Sequence, residues 1–509
     1  MLSTTLCYGL SGIDGLQITV EVNVSNGLPM FDIVGLPDAA VKESRERIRA
    51  ALKNCMYPFP DDRITVNLAP ADIKKEGPAF DLPIAIAILA CQRRVNPMAI
   101  RDVAILGELA LDGSVRSVRG VLPMAISAHD HGVKTMILPA ANADEVSCVT
   151  GVTFLPAKTL TDVVKHLSGE KPIEPIETRE FAQIIQKREY SSDFRYVKGQ
   201  RSAKRALEIA AAGGHNVLMV GPPGSGKTLM ARCVPSILPD MTFEEALVST
   251  RIHSVAGSMP DSGLLTERPF RSPHHTASHV SLVGGGIHAV PGEISKAHHG
   301  VLFLDELPEY RRDVLEALRQ PMEDGFVTIT RVSAQSTYPS EFMLVCSMNP
   351  CPCGHYGSKT HECRCTPNDI RKYLSRISGP LLDRIDMHIE VESIPAERLA
   401  DEQESEPSSA IHERVEKARS VQRARYSGLS MTCNARLSAK TIQKFCPMDK
   451  DAKEMLNLAT QSMGLSNRAF TRVIKVARTI ADLENEEKIT SAHIAEALQY
   501  RSIDDKYWH

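Results

Sequence analysis

No long apolar run is present. The longest, Leu82 to Cys91, falls far short of the ~20 residues a membrane-spanning helix needs, so no membrane partner is expected. The first residues, Leu2, Ser3, Thr4 and Thr5, carry no basic stretch leading into an apolar one, so no secretory signal is read. Charge of one sign is lacking too. Lys and Arg number 59 and Asp and Glu 62, a formal net charge of −3. No global field draws this chain to nucleic acid, and any polyanion site must be local. Twelve cysteines in 509 residues are too sparse for a secreted disulfide scaffold. A reducing, cytoplasmic setting fits them best. Internal repeats and long low-complexity tracts are not found.

What is present is ordinary globular material, 43% apolar and 24% charged. At ~100–200 residues per domain the length implies roughly three or four domains. Residues 1–167 mix strand and helix patterns. Leu16 to Val24 alternates apolar and polar residues, which predicts a half-buried strand. Arg63–Leu68 and Thr135–Leu138 predict further strands, and Val41–Lys53 an amphipathic helix. A charged linker follows at 168–193. In residues 194–395, short buried-type strands (Asn216–Val220, Val301–Leu304, Phe342–Ser347) alternate with helices, which predicts a parallel α/β sheet. An acidic, serine-rich linker covers 396–409. Residues 410–509 are helical in pattern throughout: Ile411–Ala424, Ala439–Phe445, Ala452–Gln461, Ala469–Leu483 and Ser491–Arg501.

Gly221, Pro222, Pro223, Gly224, Ser225, Gly226, Lys227 and Thr228 spell GPPGSGKT, a full GxxxxGK[ST] phosphate loop between a strand and a helix. Its glycines let backbone N–H groups cradle phosphate oxygens, and the helix N-terminus adds its dipole. Lys227 is expected to reach the β- and γ-phosphates of ATP, and Thr228 to ligate Mg²⁺. Val301–Glu306 (VLFLDE) ends an apolar strand in two acids. Asp305 is placed to hold the Mg²⁺ shell and Glu306 to activate the attacking water. Asn349 ends the next strand and either reads the γ-phosphate or turns the chain before Pro350. Arg384, between two aspartates in LLDRID, is either a finger for a neighbour's γ-phosphate or a surface ion pair. Arg468, Arg472, Lys475 and Arg478 share one helix face, for nucleotide and polyanion or simply for water. Arg195, Lys198, Arg201, Lys204 and Arg205 form a second basic stretch, with phosphate, nucleotide or water as its partner.

Cys351, Cys353, Cys363 and Cys365 form two CxC pairs separated by nine residues. Four thiolates in one short loop suit a tetrahedral, structural Zn²⁺, with free cysteines the alternative. His355 and His361 are possible substitutes. The pairs His274–His275 and His298–His299 carry no acidic partner nearby in sequence and are read as polar loop or substrate contacts.

These motifs have a family likeness. GPPGSGKT, then PGEISKAHHGVLFLDELPEY at 291–310, MNPCPCG at 348–354, SGPLLDRID at 378–386 and LSNRAFTRVIKVARTIADLE at 465–484 resemble the magnesium-chelatase-like AAA+ ATPases of the YifB/ComM type. The likeness runs along essentially the whole chain. It implies a central AAA+ domain and a C-terminal helical lid. Asn349 would be sensor 1, Arg384 the arginine finger and Arg468 sensor 2, with Arg472 second choice. Residues 251–297 resemble the clade's insert on the second helix. Phe326–Tyr338, with Arg331, resembles a hairpin that faces DNA in related helicases. The N-terminal region resembles Lon-type proteases (a ribosomal S5 domain 2-like α+β fold) through KEGPAFDLP at 75–83 and GELALDGSVRSVRGVLPMAISAH at 107–129. There the nucleophile position holds Ala79 and the lysine position Leu122, so Ser–Lys chemistry lacks both partners.

The resemblance thus implies a multidomain α/β ATPase, assembled as a hexamer, that moves on branched or single-stranded DNA in recombination or natural transformation. A chelatase subunit driving metal insertion is the alternative. An ATP-dependent protease is disfavoured by Ala79 and Leu122.

Overall fold

The strand expected from the alternation at Leu16–Val24 is part of a long antiparallel pair. β1 (Leu2–Ser11) runs against β2 (Asp14–Ser25), with Leu2 opposite Asn23 and Ser11 opposite Asp14. Ile18, Val20 and Val22 of β2 point into the core at every second position. This computed structural model describes all residues except 182–191, 260–262, 287–288, 331–334, 359–360, 394–404, 430 and 509.

Five more strands complete the first sheet: β3 (Met30–Val34), β4 (Arg63–Ala69), β5 (Val103–Ile105), β6 (Thr135–Pro139) and β7 (Thr153–Ala157). Its order is β3-β4-β2-β1-β5-β6-β7, with parallel and antiparallel neighbours. Helix α1 (Ala39–Asn54) starts where the Asp38 carboxylate accepts the Val41 N–H, and it buries Val41, Ile48, Ala51 and Leu52. Helix α2 (Asp81–Cys91) is buried on every side. The apolar run too short for a membrane is the centre of this core. Helix α3 (Val121–Asp130) follows. Two later pieces of chain, Phe243–Thr266 and Thr330–Thr337, pack into the same unit. Within it, Ser254 donates to the buried Glu145, which also accepts the Leu122 N–H.

The second unit holds a five-stranded parallel sheet. Its strands are β8 (Val217–Val220), β9 (Phe270–Arg271), β10 (Val301–Leu304), β11 (Met343–Met348) and β12 (Met387–Glu390), in the order β9-β10-β11-β8-β12. Every residue of β8, β10 and β11 is buried, as expected of strands covered on both faces. Helices α4 (Arg201–Gly213), α5 (Lys227–Cys233) and α6 (Pro367–Leu374) belong to this unit. So do α7 (Ser408–Arg425), α8 (Ala439–Phe445), α9 (Lys450–Ser462), α10 (Asn467–Leu483) and α11 (Ser491–Gln499). These last five lie on the C-terminal segments predicted helical. Val415, Val473, Ile480 and Ile494 share one apolar core with Val217, Phe303 and Val345 of the sheet. Among the described residues, no helix is long and apolar enough to cross a membrane.

Candidate active site

Parallel strands end at one edge of their sheet, and the loops that leave that edge build the site. The chain from β8 to α5 is Gly221–Gly226. The Gly221 N–H donates to Met348 O at 3.2 Å, and a Cβ on Gly221 would lie 2.2 Å from Val391 O. Only glycine fits there. Gly224 and Gly226 have φ of +75° and +90°, and a Cβ on either would meet nothing within 4 Å. The loop is therefore pinned at its start and open around Gly224 and Gly226. The Gln200 amide braces it from outside, donating to Ser225 O at 3.2 Å and Glu392 O at 2.7 Å.

Lys227 opens α5. Its ammonium donates to Gly221 O (2.7 Å), Pro222 O (2.8 Å) and Asn349 Oδ1 (3.3 Å). Burial pushes its pKa down to about 8, while Asp305 and Glu306 pull it upward. The Thr228 hydroxyl donates to Asp305 Oδ2 at 2.8 Å. These are two hard oxygens in contact at the strand edge, a donor set that fits Mg²⁺. Ser347 donates to the other oxygen of Asp305. Glu306 adopts a left-handed backbone (φ 53°), and its side chain is exposed. One carboxylate oxygen lies 3.4 Å from His275 Nδ1. The strand ends thus bring together the P-loop, Asp305, Glu306 and Asn349.

Sequence reasoning missed Gln200 and Ser347. Ser347 carried a signal, since it lies two residues before Asn349 on one face of a strand. His275 has no acid nearby in sequence and was read as a polar loop or substrate contact; in space it lies beside Glu306. His298, by contrast, is buried, and its Nδ1 accepts the Glu341 N–H at 2.9 Å.

The arginines gather elsewhere. Arg384 reaches Glu323 at 2.5 Å and Arg468 reaches the same oxygen at 3.2 Å. Arg384 is only 6% exposed, and its Nε has no hydrogen-bond partner among the described residues. Most of the expected basic face on α10 is spent inside the molecule. Arg472 pairs with Asp386 at 3.2 Å, Lys475 donates to Ala435 O at 2.9 Å, and the buried Arg478 binds Asp482 and two backbone carbonyls. A solvated stripe is therefore not what these residues form. Asp482 lies one turn beyond Arg478 on the same helix, whereas the partners of Arg472 and Lys475 come from other segments, which a helix pattern cannot reveal. In the other basic stretch Lys204 donates to Phe194 O and Val197 O, and Arg205 pairs with Glu496 and Glu484. Arg331 lies outside the described residues.

Cys351, Cys353, Cys363 and Cys365 place their sulfurs within 4.8 Å of one another. Three of the separations are 3.4, 3.7 and 3.6 Å. A tetrahedral zinc with Zn–S near 2.3 Å requires sulfurs about 3.8 Å apart, so the cluster is close to the right size. The Tyr356 N–H donates to the Cys351 sulfur at 3.3 Å. The donor set is soft and closed, which fits a structural metal.

In the first unit, Ala79 and Leu122 are both buried. Asp81, two residues beyond Ala79, is consumed by Arg47 at 2.6 Å and by the Leu109 N–H.

Comparison with known proteins covers most of the chain. Three family models match: "Magnesium chelatase, subunit ChlI" over residues 193–399, "Subunit ChlI of Mg-chelatase" over 20–142, and "Magnesium chelatase, subunit ChlI C-terminal" over 405–501. Competence protein ComM of Haemophilus influenzae is 45% identical over 97% of this chain and 96% of its own length. The YifB protein of Salmonella typhimurium is 44% identical over the same shares. Lon protease 1 of Myxococcus xanthus is 27% identical over 32% of this chain and 21% of itself. With the nucleotide motifs at one sheet edge and relatives this similar from end to end, the chain belongs to the YifB/ComM family of magnesium-chelatase-like AAA+ ATPases.

Proposed function

We propose that this chain hydrolyses ATP to move on DNA, as a ring-forming branch-migration translocase. The observation that carries the ATPase half is the meeting of Lys227, Thr228, Asp305 and Asn349 at the ends of three neighbouring parallel strands. In this reading Gly221–Gly226 and Lys227 hold the triphosphate, and Lys227 neutralises charge that builds on it. Thr228 and Asp305 would hold Mg²⁺, which would supply positive charge to offset that of the triphosphate. Glu306 leaves His275 and takes a proton from the attacking water, and Asn349 orients that water.

Arg384 and Arg468 supply the argument for assembly. Both end on Glu323 rather than on their own chain's P-loop. They act on a neighbour's γ-phosphate, and a closed ring, six subunits as in the clade, gives every site such a neighbour. DNA as the track rests on the relative named for competence and on the resemblance of Phe326–Tyr338 to a DNA-facing hairpin of related helicases. The regions 1–167, 194–395 and 410–509 are then a Lon-like domain without its dyad, the motor and the lid. The cysteine cluster holds one structural Zn²⁺, and the protein works in the cytoplasm.

The test is purified protein with ATP and a synthetic four-way junction, expected to be bound and resolved into arms. Failure to bind or migrate it overturns the DNA reading. The family models named for magnesium chelatase favour a second reading, metal insertion. ATP hydrolysis unmoved by any DNA would select it.

A further inference from the structure

The cysteine loop and the P-loop touch, and nothing in the ATPase chemistry requires that they should. A Cβ built on Gly354, between Cys353 and His355, would lie 2.5 Å from Cδ and 2.7 Å from Cγ of Pro223. The backbone of the cysteine loop is thus packed directly on the second proline of GPPGSGKT. Gly354 also has φ +81°, and its N–H closes a turn onto Cys351 O at 3.0 Å. Both features call for glycine.

Both arms of the loop lead back to the nucleotide site. On the entering side, β11 ends by accepting the Gly221 N–H at Met348 O, and Asn349 then accepts from Lys227. Cys351 follows two residues later and is fully buried. On the leaving side, Cys365 is followed by Thr366, which caps α6 in a reciprocal pair with Asp369. That helix carries Tyr373, whose hydroxyl faces the Asn349 backbone N–H.

Between these arms the loop buries little of itself. The described residues from 351 to 366 contain no helix or strand, and of them only Cys351 and Gly354 are buried. Fixing ~15 residues costs backbone entropy that two buried positions do not offset. Four sulfurs drawn onto one ion supply the missing constraint.

We propose that the metal held by Cys351, Cys353, Cys363 and Cys365 is a support of the nucleotide site, fixing Pro223 so that the P-loop is preorganised for ATP. The proposal rests on the zinc reading of the cysteine cluster given above. It predicts an effect on ATP affinity more than on turnover, because the supported atoms bind the triphosphate while Glu306 lies on a different strand end. Removal of the metal raises the Kd of a fluorescent ATP analogue and the KM for ATP by about tenfold or more, the scale expected when a site is displaced by a fraction of an ångström.

Three preparations test this: untreated protein, protein dialysed against a zinc chelator, and Gly354→Ala. Zinc is counted by elemental analysis, folding by circular dichroism, and ATP by analogue binding and steady-state kinetics. Gly354→Ala keeps all four thiolates, so it retains zinc near one per chain. Its KM is expected to rise severalfold with kcat close to the untreated value. A well-folded protein that contains and takes up no zinc overturns the metal reading, and the proposal with it. Zinc bound but removable with no change in analogue Kd overturns the coupling alone, as does a Gly354→Ala protein with unaltered KM. If the chelated protein unfolds, Gly354→Ala still decides the coupling.

Discussion

Two buried lysines set the two units of this molecule apart. Lys75, in the unit built on the mixed sheet, donates to Pro70 O and Ile73 O. Lys227, in the unit built on the parallel sheet, donates to Gly221 O and Pro222 O. Burial lowers the pKa of both. Locally they are the same object, an ammonium closing its own loop onto two carbonyls. What differs is who else is there. Lys75 finds its two carbonyls within five residues of itself. Lys227 also meets Asn349 from 122 residues away, and feels Asp305 and Glu306 from a third strand end. A buried cation is structural when its neighbours are local and complete. It becomes a candidate for chemistry when separate strand ends converge on it.

That contrast can be broken in four places. The largest effect is expected at Glu306→Gln, which keeps the shape of the converged site and removes its base. ATP analogue binding should persist while kcat falls by about 10²–10⁴-fold. Hydrolysis at the untreated rate would leave the convergence without a catalytic meaning. Next comes Asp386→Asn, which strips the partner from Arg472 and weakens the acceptor of the Asn216 N–H. Burial pushes the Asp386 pKa up, but Arg472 and His215 more than offset this and hold it well below the usual carboxylate range. A loss of about 3–5 kcal/mol in denaturant unfolding is expected when one side of such a buried pair is removed. A loss below about 1 kcal/mol would show that the pair is not what fastens α10 to the sheet.

A smaller effect is expected at Lys75→Met, which orphans two carbonyls and should cost about 1–3 kcal/mol. ATP hydrolysis per folded molecule should not change. If hydrolysis is lost, the division into a structural and a chemical lysine fails. The smallest effect is Ala79→Ser. A hydroxyl restored at the nucleophile position still faces a chain with Leu122 where the lysine would be, so casein should remain intact. Cleavage would reveal a base that neither the sequence nor the fold identifies.

Legibility in the sequence followed distance along the chain. The P-loop could be read because its strand, turn and helix are adjacent, and Asp305 because the acid ends its own apolar strand. The helix Ala39–Asn54 and strand β4 were plain from periodicity alone. Interactions that join remote segments were not visible. Nothing local pairs Arg468 with Glu323, 145 residues earlier, or Arg472 with Asp386. The same limit hid the acid beside His275. It also hid the place of the helix Phe243–Ala256, which packs into the mixed-sheet unit though its sequence lies between P-loop and acids. A charge pattern says where cations sit on an element and is silent about which acids the fold will carry to them.

One carboxylate cannot neutralise two guanidinium groups. Glu323 holds Arg384 and Arg468 on a single oxygen, so the three groups sum to one unit of positive charge. Arg384 adds to the imbalance a covered Nε without a partner. Within this trio positive charge exceeds negative by one. Any anion that arrives there gains more than it would at an evenly paired surface, and the gain fades as salt rises.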